Sequence, residues 1–384
     1  MELNTICSYR NERIPFDTIA KEDYVSTENL LPDKGGLKLT SSFPENGNVC
    51  AFYKGDVLIS NIRPYFKKIW LADKDGGCSA DVLVFKAKEN INNKFLFYIL
   101  SQDSFFDFVM QGAKGCKMPR GDKNFTMTFD VSKLPLKKQN EIASVLSSLD
   151  AKIETNNRLS EKLEELAQAI FKSWFVDFEP FKNQKFHETE LGMIPEGWEV
   201  GNLTDIAEYT NGLAMQKFRP DNEEDGIPVL KIKELKQGSC DSSSDICTSE
   251  IDDCYLANDG DVIFSWSGTL YVDIWCGGLS GVNQHLFKVT SNKYPKWFYY
   301  YWTKHHLAEF IRIAKDKAVT MGHIKREHLR QSYVVLPDKT TMDKIDKILS
   351  PIVEQIISSR IEAKRLANLR DTLLPRLMSG EIKL

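Results

Sequence analysis

The residues that most resemble a catalytic set are Asp221, which follows Pro220, and the pair Glu234 and Lys236 around Leu235. Two carboxylates and a lysine in this loose order can hold Mg²⁺ and position an attacking water, as in metal-dependent nucleases. The pattern is short and degenerate. The intervening Ile227-Pro228-Val229-Leu230-Lys231-Ile232 reads as a framework strand, which is the preferred reading. No Asn-Pro-Pro-Tyr or Asp-Pro-Pro-Tyr motif suggests an adenine methyltransferase, and there is no Walker A sequence or glycine-rich cofactor loop after a strand. Cys240, Cys247 and Cys254 are evenly spaced but lack a Cys-x-x-Cys or a histidine at zinc-ligand spacing, so all 8 cysteines read as free thiols of a reducing compartment. Of the 6 histidines, His305 and His306 are adjacent and are expected to point apart on a helix, which leaves no metal pair. No catalytic residue, bound cofactor or metal is expected on this chain.

A second chemistry is suggested by basic residues interleaved with glycine and proline. In the first half these are Arg63, Tyr65, Lys67 and Lys68, and the loop Lys114, Lys117, Arg120, Lys123 and Asn124, punctuated by Gly112, Gly115, Pro119 and Gly121. In the second half they are Lys217, Arg219, Lys315, Lys317, Thr320, His323, Lys325 and Arg326, around Gly322. Cations neutralise phosphates, and arginine, lysine, asparagine and serine address base edges. The formal net charge of -4 is only weak evidence against nucleic acid, because local distribution outweighs the total. Any one of these groups alone reads as solvated surface; the loop around Gly322 falls where Gly115 to Gly121 falls in the first half, and that agreement raises these two loops above it.

The elements that must position these residues are written twice. After Leu134-Pro135 come Ile142, Val145, Leu146, Leu149, Ile153, Leu163, Leu166 and Ile170. After Leu336-Pro337 come Ile345, Ile348, Leu349, Ile352, Ile356, Leu366, Leu369 and Leu373, every pair offset by 203 positions. Upstream, Gly55-Asp56-Val57-Leu58-Ile59-Ser60 matches Gly260-Asp261-Val262-Ile263-Phe264-Ser265, a turn and buried strand. Lys94 to Leu100 matches Lys296 to Trp302, helices whose aromatics are read as core. Each half is thus a mixed α/β globule followed by a long helix. Spacings of three and four place Ile142, Val145, Leu149, Asn156, Leu163, Leu166 and Ile170 on a coiled-coil seam, with Ile345, Ile348, Ile352, Leu366, Leu369 and Leu373 on its partner. Lys152 and Asn156 interrupt the first seam, and Ser359 occupies the slot of Asn156. A helix of roughly 35 residues spans about 50 Å, or about 15 base pairs. Antiparallel helices of that length would set two different readers at opposite ends of a pseudo-two-fold pair.

Specific stretches carry a family resemblance. They are Lys137-Lys138-Gln139-Asn140-Glu141-Ile142-Ala143, Leu149-Asp150-Ala151-Lys152-Ile153-Glu154-Thr155-Asn156-Asn157-Arg158-Leu159, Phe171-Lys172-Ser173-Trp174-Phe175-Val176-Asp177-Phe178, Leu191-Gly192-Met193-Ile194-Pro195-Glu196-Gly197-Trp198-Glu199-Val200, and Leu369-Arg370-Asp371-Thr372-Leu373-Leu374-Pro375-Arg376-Leu377-Met378-Ser379-Gly380-Glu381-Ile382. Over essentially its full length the chain resembles the specificity subunit of type I restriction–modification systems. The resemblance implies a target recognition domain at 1–136, a conserved spacer helix at 137–180, a second target recognition domain at 181–336 and a distal spacer helix at 337–384. It implies sequence-specific binding of double-stranded DNA at a bipartite asymmetric site, one half-site per domain, with two methyltransferase subunits docked on the helices and restriction subunits joined through them. S-adenosylmethionine, ATP and Mg²⁺ are then expected on those partners. The first half lacks a counterpart of Pro195 to Trp198, so its opening strand is expected to differ or be shortened. No apolar run approaches the roughly 20 residues of a membrane span, and no signal peptide is expected at Met1 to Arg10, so the cytoplasm is the expected compartment. Rival readings are a helical adaptor that binds only proteins, a stand-alone nuclease, and a specificity subunit that serves modification alone.

Overall fold

The structure is a computed structural model that describes residues 1–38, 43–44, 47–316 and 322–382. It divides into two compact units, Met1–Lys152 with Leu366–Leu384, and Ile153–Arg365. Two 40-residue helices, α4 (Leu136–Phe175) and α9 (Lys339–Met378), each contribute one segment to each unit.

In the first unit, β1 (Cys7–Tyr9), β8 (Val82–Ala87), β5 (Val57–Ser60) and β6 (Ile69–Leu71) form an antiparallel sheet in that order. A second sheet orders β2 (Arg13–Pro15), β4 (Asn48–Phe52), β7 (Gly76–Cys78) and β3 (Tyr24–Val25), the last pair parallel. Helices α1 (Asn93–Leu100) and α2 (Asp103–Gln111) bring Phe95, Tyr98, Phe105 and Phe106 into the core beside Val57, Phe85 and the α4 residues Ile142, Ala143 and Leu146. Leu374, Leu377 and Met378 of α9 close the same core. The short helix α3 (Lys123–Thr126) begins at Asp122, whose carboxylate accepts the N–H groups of Asn124 and Phe125.

The second unit repeats the first sheet strand for strand. β12 (Glu208–Asn211), β19 (Leu286–Thr290), β16 (Val262–Ser265) and β17 (Tyr271–Ile274) stand in the same antiparallel order. Asp56 and Asp261, which open the equivalent strands β5 and β16, each accept a backbone N–H three residues upstream, from Tyr53 at 2.9 Å and Asn258 at 2.8 Å. Each also pairs with a cation, Arg10 at 2.7 Å and Lys288 at 3.0 Å. The Gly-Asp repeat therefore marks one turn built twice. In the second sheet, β13 (Ile227–Leu230) runs parallel to β18 (Ser280–Val282), and β15 (Leu256–Ala257) antiparallel to it, as β3 and β4 flank β7. The outermost strand differs: β14 (Ile246–Cys247) adds beside β13, whereas β2 adds beside β4. The strand expected at Ile227–Ile232 is thus present as β13, followed by α6 (Ile232–Gln237). The second unit also has a hairpin, β9 (Phe186–Thr189) with β10 (Gly192–Pro195), and a four-residue ladder, β11 (Glu199–Asn202) with β20 (Tyr333–Leu336). The short helices α5 (Leu203–Ile206) and α8 (Arg326–Arg330) adjoin it. Its counterpart in the first unit, among the described residues, is the single bridge Glu2↔Asp130.

Helix α7 (Lys296–Asp316) carries Trp297, Phe298, Tyr300, Tyr301 and Trp302 into the second core, packed on Phe171 and Phe175 of α4. The aromatic helix is therefore core, as its sequence suggests. The helices run antiparallel, since Asp150 meets Arg370 at 2.7 Å in the first unit and Asn156 meets Glu362 at 2.8 Å in the second.

The buried line along α4 is Ile142, Leu146, Asn156, Ser160 and Ala167, with Leu149, Ile153, Leu163 and Ile170 half-buried. Along α9 it is Ile345, Leu349, Ile356, Ser359, Ala363 and Leu377, with Ile352, Leu366 and Leu373 half-buried. Of the expected seam positions, Ile142, Leu149, Asn156, Leu163, Ile170, Ile345, Ile352, Leu366 and Leu373 are thus buried or half-buried. Three positions are not. Leu166, Ile348 and Leu369 are 48%, 43% and 47% exposed. Val145 is half-buried beside the more deeply buried Leu146. Replacing buried Leu146 by alanine is expected to lower stability by about 3 kcal/mol in urea unfolding, and Leu166→Ala by less than about 0.5 kcal/mol. Equal losses would restore the sequence-derived seam.

Candidate nucleic-acid interface

In the first unit the two basic stretches meet. The loop leaving β5 runs from Asn61 to Lys68, and the backbone N–H of Arg63 donates to Pro119 O at 2.8 Å. Gly121 N–H donates to Asn61 O at 3.3 Å, and Ile62 bridges Arg120. Lys114 and Arg120 exchange backbone hydrogen bonds of 2.9 and 3.0 Å, which turns 114–120 into a small hairpin with Cys116, Lys117 and Met118 exposed at its tip. Gly121 permits this approach, because a Cβ there would lie 2.8 Å from Val109 Cγ1 and 3.0 Å from Asn61 Oδ1.

Most cations expected here are already partnered. Lys114 pairs with Asp122 at 2.9 Å, Arg120 with Asp81 at 3.2 Å, and Lys67 with Asp103 at 3.0 Å. Lys34 joins Asp103 at 2.9 Å. Burial alone would raise the Asp103 carboxyl, but hydrogen bonds from Lys34 and Lys67 hold it below the usual range. Lys68 donates to Thr27 O at 2.6 Å, and burial lowers its pKa. Lys117, Lys123 and Asn124 are exposed, and Tyr65 is 46% exposed.

The second unit builds the same junction from different side chains. Gly268 N–H donates to Gly322 O at 3.0 Å, Ile324 N–H donates to Trp266 O at 3.0 Å, and Ser267 bridges His323. Trp266 Nε1 donates to Asn211 Oδ1 at 2.9 Å, and Ser267 Oγ lies 2.9 Å from His285 Nδ1. Exposed His323 approaches the edge of Trp266, with ring centroids 6.3 Å apart. Lys325 is exposed, whereas Arg326 donates to Tyr209 O at 3.0 Å and lies over Phe287. Lys315 is exposed at the end of α7. Lys317 and Thr320 lie outside the described residues. Lys217 and Arg219 sit on the segment after β12, where Phe218 O accepts Thr248 N–H at 2.8 Å. Asn211, Trp266, Ser267 and His285 were not anticipated. The match of Ser60 with Ser265, carried one residue further, points to Trp266.

The nuclease-like set does not converge. Glu234 is buried, with Oε2 accepting Lys231 N–H at 3.2 Å and Oε1 accepting Ser244 Oγ–H at 3.1 Å, so it caps α6. Asp221 is exposed in the preceding loop. Among the described residues no cluster of three or more His, Cys, Asp or Glu is placed to hold a metal ion. The rings of His305 and His306 do not diverge as expected. Their centroids are 5.3 Å apart, both pack on Trp302, and His306 Nε2 bonds Tyr333 O at 2.9 Å. Burial lowers both imidazoles, His306 to about 4.

Residues 1–165 and 195–368 match the model of the family described as type I restriction modification DNA specificity domain, and the chain belongs to that family. The MjaIX type I restriction enzyme specificity subunit of Methanocaldococcus jannaschii is 27% identical over 375 residues, covering 95% of this chain and 86% of the relative. The HindI specificity subunit of Haemophilus influenzae is 23% identical over 409 residues, covering 86% and 87%. The crystal structure of a type I restriction–modification S subunit from M. genitalium shares the fold at a TM-score of 0.56 and 15% identity, covering 98% of this chain and 95% of that one.

Replacing Glu234 by alanine is expected to cost about 1–3 kcal/mol in urea unfolding, because a buried N–H and a hydroxyl lose their acceptor. It is expected to leave any Mg²⁺-dependent DNA cutting by the preparation unchanged. Cutting that disappears with Glu234 would make this chain a nuclease.

Proposed function

We propose that this chain is the DNA-reading, non-catalytic subunit of a type I restriction–modification complex and recognises a bipartite asymmetric site, one half-site per unit. The observation that carries this is the junction built twice. In each unit the loop after the same framework strand pairs with a glycine-bearing loop, Ile62 with Arg120 and Ser267 with His323. The framework is shared and the side chains presented are not, which suits one scaffold reading two sequences. The regions 1–136 and 181–336 are the two target recognition domains. Lys114, Lys117, Arg120, Lys123, Lys315 and Lys325 serve phosphates, and residues at the junctions serve bases.

Helices α4 and α9 carry the partner sites. Leu166 and Leu369 are large apolar residues exposed at repeat-equivalent positions, as expected where two copies of one methyltransferase subunit dock on a duplicated surface. Restriction subunits join through those copies. S-adenosylmethionine, ATP and Mg²⁺ belong to the partners. No helix among the described residues is long and apolar enough to cross a membrane, and the reading places the complex with the DNA in the cytoplasm.

Co-expression with the partner methyltransferase, followed by mapping of adenine methylation across a host genome, is expected to give a single gapped asymmetric motif. A stable complex without new methylation would overturn the reading in favour of a protein-only adaptor. The double substitution Lys325→Ala and Arg326→Ala is expected to weaken DNA binding at physiological salt while the melting curve stays cooperative. Affinity of the unsubstituted complex should fall roughly 10³-fold between 50 and 200 mM salt if about six phosphates are neutralised. A flat salt response would exclude a phosphate-contacting surface.

A further inference from the structure

The first unit holds a device that the second lacks. Between β5 and β6 the chain makes a tight turn, Pro64–Phe66, flanked by Arg63 and Lys67, both with φ of 50°. Two non-glycine residues in the left-handed region cost of order 1 kcal/mol or more each, and such strain persists only where the surroundings impose it. Here they do so from three sides. Arg63 N–H is bonded to Pro119 O, Asp33 N–H donates to Phe66 O at 2.8 Å, and Lys34 N–H donates to Lys67 O at 3.0 Å. The Lys34–Asp103–Lys67 ion pairs fix the same turn to the start of α2. In the second unit the connection between β16 and β17 is the shorter 266–270, in which Leu270 is buried.

The strained turn displays a specific set of groups. Tyr65 and Phe66 are 46% and 38% exposed, with ring centroids 4.7 Å apart. Arg63 makes no side-chain hydrogen bond or ion pair with the described residues, and its Nε is shielded from solvent without a partner. Asn61 Oδ1, in the same loop, is likewise shielded and unpartnered. Unsatisfied buried polar atoms are rare in native structures and call for a functional reason. Lys67, Lys114 and Arg120 nearby are held by carboxylates, so Arg63 is the guanidinium of this junction left uncommitted.

We infer that the Arg63–Lys67 turn is the base-reading element of the first unit, with the Arg63 guanidinium donating its paired N–H groups to the two major-groove acceptors of a guanine and the Tyr65–Phe66 pair covering the neighbouring base edge. This rests on the DNA-reading function proposed above. A fork of donors is the side chain that fits guanine O6 and N7. A backbone clamped before DNA arrives aims that fork with little ordering cost on binding. Among its described residues the second unit has no such turn. Its junction presents Trp266 bonded to Asn211 and Ser267 bonded to His285, with Gln284 Oε1 beside them shielded and unpartnered, so on this inference the half-sites are read by unlike side chains.

The test is methylation mapping of the assembled complex with Arg63→Lys, which keeps the charge and loses the fork, and with Arg63→Gly, which removes the side chain and suits the left-handed backbone. Each variant is expected to relax one guanine position in one half-site, reducing discrimination there by about tenfold to a hundredfold. The other half-site and the spacer should stay unchanged, which shows that the variant complex is folded and bound. An unaltered motif in both variants would overturn the role of Arg63, as would relaxation at a position other than guanine. If the unsubstituted complex yields no gapped motif at all, it is the DNA-reading function that fails.

Discussion

One continuous stripe on each long helix serves two kinds of packing, and the rest of the fold follows from that. At its ends the stripe carries bulky residues that complete a globular core, Ile142 and Leu146 in the first unit, Phe171 and Phe175 in the second. Between them it carries small and polar groups, buried Asn156, Ser160, Ser359 and Ala363. Small residues let two helices approach, while a buried amide with a required partner tolerates one alignment only. Asn156 finds that partner in Glu362, and Ser160 bonds back to Asn156 O. Slipping either helix by a turn would strand these groups away from both water and partner, at a cost of about 1–3 kcal/mol each.

The same division of labour explains where sequence reading succeeded and where it slipped. The repeat offset identified α4, α9, β5 and β16, because duplicated cores require apolar residues at duplicated places. The expected seam departs from the buried line at Leu166, Ile348 and Leu369, because apolar spacing is its only guide. The buried line passes not only through the expected Asn156 and Ser359 but also through Ser160 and Ala363, which carry little hydrophobic signal, while exposed Leu166 and Leu369 supply a competing one. A helix with a partner still to bind has two apolar faces, and periodicity alone does not say which is occupied.

The proposed interface is legible in the sequence to the extent that it is charged. Lys114 to Asn124 and Arg63 to Lys68 stood out, and the structure brings them together through the Ile62↔Arg120 bridge. The corresponding surface of the second unit was only half visible. Its glycine loop was found, but its other face consists of Trp266, Ser267 and His285, residues whose composition gives no hint of DNA. What reveals them is backbone pairing with His323, a fact of tertiary structure. The strain at Arg63 and Lys67 and the unsatisfied atoms of Asn61 and Arg63 are equally silent in sequence.

A near-neutral total charge becomes intelligible at the same junction. Asp81, Asp103 and Asp122 stand beside the cations of the first unit and hold Arg120, Lys67 and Lys114 in place. Such pairs are partly exposed and individually weak, so a phosphate can displace the carboxylate at small cost. Their contribution is geometric, since a long side chain held by a neighbour loses less freedom on meeting DNA than a free one. Under the proposed function they would also lower non-specific attraction, because each phosphate contact replaces an existing one. A surface arranged this way gives up raw affinity and leaves discrimination to the few groups held in position but not yet engaged. Under the proposed function, duplication suits such a protein, because two dissimilar readers joined in one chain multiply their selectivity.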